Sequence, residues 1–242
     1  MCIAILKKNG HEISKQTLKN CFDSNPDGAG FMFADNGSLF IHKGFMDFDT
    51  FYKSYKKTNT KDKTTLIHFR IKTHGAISKE NCHPFLVSDY LGFIHNGVID
   101  IKTKGTESDT MSFNRNYLKK IKSLHKLIKS NGIKKLIADR IENSKLVFLD
   151  KFGKYTIINE KMGQWDNGSW FSNSSYKTPK FGYDYGGYCD NGYYNMYEDS
   201  LCVQCDNYLF EDVELENEIC TECLEVDNSI IDKIKNNTLR FY

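Results

Sequence analysis

No apolar run in the chain approaches the roughly 20 residues that a membrane-spanning helix needs, and the N-terminal apolar stretch stops at Lys7-Lys8 without the form of a secretory signal. Proline is scarce, with three in 242 residues, which excludes a proline-rich extended architecture. No large excess of either charge is present. The 33 Lys and Arg against 31 Asp and Glu leave a formal net charge of +2, so the whole chain makes no electrostatic case for a polyanionic partner. These absences lead us to expect a cytoplasmic protein with no membrane partner. The abundance of Lys and Asn with little Pro fits an AT-rich microbial or viral (phage) genome. What remains is an ordinary globular balance, 40% hydrophobic and 26% charged, long enough for one substantial domain and a small appendage.

The eight cysteines are unevenly placed. Cys2 stands directly behind Met1 and ahead of a strand-like apolar run. A small second residue permits removal of the initiator methionine, which would put a thiol and a free α-amine on one residue. In water such groups titrate near about 8.5 and about 7.7–8.0, so the amine can take the thiol proton near neutral pH. Taken alone, Cys2 reads equally as a small buried strand residue.

Along the chain, Ser14 can cap a helix with Leu18, Cys21 and Phe22 on one face. Asn36-Gly37 marks a hairpin, the segment 47–57 is helical, and "TTLIHFRI" and "YLGFIHNGVI" are strands. From Ser108 to about Asn131 an apolar stripe of Tyr117, Leu118, Ile121, Leu124 and Ile128 predicts a helix with a solvated lysine face. A short helix over about 133–142 follows, then a hairpin turning near Phe152-Gly153. Residues 176–200 are rich in Gly and Tyr and aperiodic, and read as a linker. The order of elements predicts an α+β chain with a layered antiparallel core.

Polar groups gather at the ends of three of these strands: Arg70, Thr73 and His74 in "HFRIKTHG", Asn96-Gly97 in "IHNGV", and Asp109 in "ESDT". Singly these are a surface arginine, a turn and a helix cap. Together with Cys2 and "NCHPF" at 81–85, in this order and spacing, they resemble the class II glutamine amidotransferase domain of the N-terminal nucleophile hydrolases. The resemblance runs over about 110 residues and extends to about residue 175. It implies a four-layer αββα sandwich and hydrolysis of glutamine through a thioester on Cys2. By the same resemblance Asn96 and Gly97 stabilise the oxyanion, Arg70 binds the α-carboxylate and Asp109 the α-ammonium. Thr73, His74 and His83 line the pocket; His83 reads equally as a packed histidine beside Pro84.

Two positions depart from the family pattern: Ile3 where glycine usually follows the nucleophile, and Ile71 where an aromatic often follows the arginine. Glutamine specificity is therefore less fixed than amide hydrolysis. The alternatives are an amidase for another γ-glutamyl or linear amide, and a non-catalytic amino-acid or partner-binding protein. The stretch beyond residue 175 is too short for a synthase half, so the resemblance implies an ammonia-acceptor enzyme acting in trans.

Near the C-terminus, Cys202, Cys205, Cys220 and Cys223 form two C-x-x-C pairs, the spacing of a closed, structural four-thiolate zinc site. We expect this module over 201–225, with a tail over 226–242. From Phe181 to Asp232 there is no Lys or Arg, which argues against nucleic acid as its partner.

Overall fold

The computed structural model describes residues 2–177 except Asn59 and His74. The four cysteines of the expected zinc module therefore lie outside the described residues. Within them, two antiparallel sheets lie face to face with helices on both outer sides.

The first sheet contains β1 (Ile3–Lys7), β2 (Ala29–Asp35), β3 (Ser38–Phe45), β4 (Thr65–Phe69), β9 (Gln164–Asp166) and β10 (Ser169–Phe171), in the order β3-β2-β4-β1-β10-β9. The second orders β5 (Phe85–Ser88), β6 (Leu91–Asn96), β7 (Lys145–Asp150) and β8 (Tyr155–Ile158) in sequence. Alternation along the strands builds three apolar layers. One face of the first sheet (Ile3, Phe31, Phe69) packs on α1 (Lys15–Ser24) and α2 (Phe48–Lys57) through Leu18, Phe22 and Phe51. Its other face (Ala4, Leu6, Leu66, Trp170) meets Ile94, Val147 and Leu149 of the second sheet. The outer face of that sheet (Phe93, Leu146, Phe148) packs on α3 (Asp109–Asn116), α4 (Leu124–Leu127) and α5 (Asn131–Ile141).

The helix starts follow side-chain caps. Ser14 Oγ accepts from Thr17 N (3.0 Å), and Asp47 Oδ1 accepts from Thr50 N (2.9 Å). The single helix expected from Ser108 to about Asn131 is instead broken into α3, a 3-10 turn over Leu118–Lys120, and α4. Ser123 sits in the left-handed region (φ 54°), which ends a helical run. The break lets Leu118, Leu124 and Ile128 reach the core while Tyr117 turns to solvent. Strands β5, β9 and β10 carried no sequence signal long enough to predict. Tyr176, at the start of the expected linker, is buried, its ring stacked 3.9 Å from that of Phe171.

Lys7 ends β1 with its side chain fully buried. Its ammonium lies within reach of five backbone carbonyls, those of Lys8, His11, Thr60, Lys61 and Lys63, at 2.9–3.3 Å. Burial pushes its pKa down to about 8, against the attraction of Glu12 and Asp62. The ammonium ties two loops to the strand that carries Cys2. Lys7→Met should therefore lower stability by about 3 kcal/mol, because buried acceptors left without donors cost about 1–3 kcal/mol each. Thermal unfolding should show a fall in Tm of about 6–12 °C; an unchanged Tm would mean that water replaces the ammonium without penalty.

Candidate active site

Five segments converge at one end of the sandwich. β1 pairs with β4 so that Ile3 faces Phe69, which brings Cys2 and Arg70, one step further along each strand, side by side. Cys2 Sγ lies 3.2 Å from the Ile71 carbonyl, its acceptor, and 3.4 Å from the Ile71 N–H, which donates to it. Burial pushes the Cys2 thiol pKa up, while the Ile71 amide and the Arg70 charge pull it back. Arg70 is 4% exposed, so its charge acts through little intervening water.

Asn96 ends β6. Its side-chain Nδ2 donates to the Cys2 carbonyl, and Asn173 Nδ2 donates to the same oxygen at 2.7 Å. An amide nitrogen has two hydrogens, so Asn96 retains one for another acceptor. Gly97 follows at φ 136°, and a side chain there would run into Ser144, 2.2 Å from its hydroxyl. Only glycine fits, which leaves the backbone beside the pocket uncovered.

Asp109 opens α3 behind its cap Ser108, whose Oγ accepts from Met111 N. One Asp109 oxygen accepts from Ile99 N (2.8 Å) and the other from Thr110 N (2.8 Å). The helix-cap reading of this pair is therefore correct, and it also fixes the carboxylate at the pocket wall. Cys2, Arg70, Thr73, His83, Gly97 and Asp109 line one small pocket. Its free space is about 20 Å³, the room of a single water. His74 lies outside the described residues.

Sequence reasoning missed several groups here. His68, His83 and His95 form a buried cluster beneath the pocket. His68 Nε2 lies 2.8 Å from the His95 carbonyl and 2.8 Å from His83 Nδ1. A carbonyl only accepts, so His68 Nε2 carries the proton and His83 Nδ1 presents a lone pair. Thr110 Oγ1 donates to Asp109 Oδ1 (3.3 Å) and lies 2.7 Å from His95 Nδ1, which must then donate to it. His95 Nε2 is left as a buried lone pair with no partner among the described residues. Burial pushes the pKa of His95 down to about 4, that of His68 to about 3 and that of His83 well below its usual value, so all three are neutral.

Asn81 joins two loops: Nδ2 donates to the carbonyls of Ala76 and Thr106, and Oδ1 accepts from Ser108 N. It opens the "NCHPF" stretch, so a signal for it was present. Gly30 lets this stretch lie against β2, since a side chain there would meet the His83 carbonyl at 2.2 Å. Asn173 offered none, because its place beside Cys2 depends on the unpredicted strand β10.

No protein-family model matches the sequence, and no curated protein matches it. Among solved structures the chain is similar to a glutamine phosphoribosylpyrophosphate amidotransferase from B. subtilis complexed with ADP and GMP. The two share 15% identity with a TM-score of 0.45. The likeness covers 71% of this chain and 41% of that one, so this chain spans well under half the length of the structure it matches.

Proposed function

We propose that the chain is a glutaminase of the class II amidotransferase type, an N-terminal nucleophile hydrolase that supplies ammonia to an acceptor enzyme in trans. The observation that carries this reading is the meeting of the Cys2 thiol, the Asn96-Gly97 pair, Arg70 and Asp109 around one pocket. A binding protein would need the two charges but not the thiol.

In this reading Met1 is removed and the Cys2 α-amine takes the thiol proton. Sulfur then attacks the side-chain amide carbon of glutamine. The negative charge forming on the amide oxygen is met by the free hydrogen of Asn96 Nδ2 and the Gly97 N–H. Collapse breaks the carbon–nitrogen bond, the ammonium returns its proton to the leaving amine, and ammonia departs. Water, deprotonated by the same amine, attacks the thioester, giving glutamate and the free thiol. Arg70 and Asp109 hold the two charged ends of glutamine, with Thr73 and His83 at the pocket wall. Because the pocket now has room for about one water, Ile71 and Thr73 at its rim must yield for substrate to enter.

The module beyond the described residues is proposed to hold one structural zinc on Cys202, Cys205, Cys220 and Cys223, on the strength of their spacing.

The test is intact mass of the purified full chain before and after 6-diazo-5-oxo-norleucine, a glutamine analogue that alkylates such thiols. The expected result is a chain lacking Met1, modified once, at Cys2. A chain that keeps Met1 and resists labelling sinks the mechanism. Native mass of the same sample should read one zinc per chain.

A further inference from the structure

On the far side of the "NCHPF" stretch from the Cys2 pocket, a second cleft of about 450 Å³ opens where the edge strands β3 and β5 meet α3. That is within the range of small-molecule sites. Its floor is apolar, with Phe85 and Met111, and its rim carries Lys43, Arg115 and Lys119. Glu107 is the one acidic residue lining it, and Arg115 Nη1 already holds that carboxylate at 2.8 Å.

Two neighbouring side chains leave polar atoms unsatisfied at this cleft. Asn114 is 6% exposed; its Nδ2 donates to the Leu86 carbonyl at 2.9 Å, while its Oδ1 is buried with no partner among the described residues. Arg115 Nη2 is likewise buried without a partner among them. Each such group costs about 1–3 kcal/mol, and folded proteins rarely leave an acceptor and a donor orphaned on adjacent residues. Lys43 adds a fixed charge. Its Nζ donates to the carbonyls of Cys82 (2.9 Å) and Glu80 (3.1 Å) and lies 4.2 Å from the centre of the Phe85 ring.

We propose that this cleft binds a small amphiphilic organic anion with a flat apolar body and an N–H donor. The anionic group meets Arg115 Nη2 and Lys119, the body lies over Phe85 and Met111, and the N–H donates to Asn114 Oδ1. A bare inorganic anion would fill a small part of the space and leave both the floor and Asn114 unused. Two sources supply this chemistry: mononucleotides, with a phosphate and an exocyclic amine, and aryl amino-carboxylates. The inference does not depend on the glutaminase reading, since no group of the Cys2 pocket is needed for it.

The test is calorimetric titration of the full-length protein with AMP, with anthranilate (2-aminobenzoate) and with inorganic phosphate. One of the two organic probes should bind with Kd below about 1 mM, and phosphate should not displace it. Lys119→Glu, at an exposed position, should weaken that binding by about tenfold, equivalent to one added repulsion near 1.4 kcal/mol. Arg115→Gln should weaken it at least as much, with Tm reported alongside. Binding by AMP alone or by anthranilate alone identifies the source. The proposal is overturned if neither probe binds, if Lys119→Glu binds unchanged, or if phosphate competes on equal terms.

Discussion

Cys2→Ala is expected to reduce glutamine hydrolysis by at least about 10⁴-fold, the scale on which loss of a covalent nucleophile acts. The fold should survive, because the substitution removes one sulfur from a half-buried position at the end of β1. The hydrogen bonds that fix this residue, from Asn96 and Asn173 to its carbonyl, do not involve the side chain. Ammonia release at saturating glutamine, read beside Tm, separates loss of chemistry from loss of structure. Activity within a few per cent of the parent would remove Cys2 from the mechanism. Asn96→Ala should behave differently. It deletes a proposed oxyanion donor, worth about 2.7–4 kcal/mol, and it also releases the Cys2 carbonyl to Asn173 alone. Its deficit should appear in kcat, with KM little changed, since Arg70 and Asp109 hold the substrate's charged end.

The second large effect is acid sensitivity. His68 and His95 have folded-state pKa values pushed down to about 3 and about 4 by burial, and His83 is also well below its usual value. Arg70 adds repulsion at His68 and His83, Lys43 at His83, and Lys145 at His95; Asp109 opposes this at His95. An unfolded histidine titrates near about 6.5. Below that pH the unfolded chain binds protons that the folded chain refuses. Stability is therefore flat with respect to these groups above about 6.5 and falls as pH drops toward 4 and then 3. His95 alone accounts for roughly 3 kcal/mol across its window, and the other two add to it without simple additivity because the three rings touch. Against a typical total of about 5–15 kcal/mol, the domain should unfold near pH 5. Denaturant titrations at pH 7, 6 and 5 should show a steep loss, with two to three protons taken up on unfolding at pH 5. Equal stability at pH 7 and 5 would mean that the cluster is protonated in the fold.

Much of this architecture was legible in the sequence because its signals are local. Ser14 and Asn36-Gly37 act through the backbone next to them, and α1 and the β2–β3 hairpin stand where those residues indicate. The lysine-rich stretch after Ser108 misled for the opposite reason. Its apolar residues have helical spacing, but packing on the second sheet requires a turn at Ser123, which periodicity cannot show. β9 and β10 are three residues each, and their stability comes from pairing with β1 across more than 160 positions of chain. The order and spacing of Cys2, Arg70, Asn96 and Asp109 pointed to a common pocket. The histidines beneath it did not stand out, because a buried histidine in a strand has the same local pattern as an exposed one. His95 stands beside Asn96 in "IHNGV", yet nothing in that stretch reveals its role.

The closure of the first sheet has a consequence for the timing of activity. Ser172 exchanges hydrogen bonds with Ala4, its Oγ accepting from the Ala4 amide and its own amide donating to the Ala4 carbonyl, and Asn173 then reaches Cys2. The residue that begins the site is thus anchored by a segment made some 170 positions later. A chain emerging from the ribosome carries Cys2 first but lacks its anchor until Asn173 has emerged. The nucleophile is born unaligned, and no glutamine should be hydrolysed by a nascent chain until the whole sandwich can close.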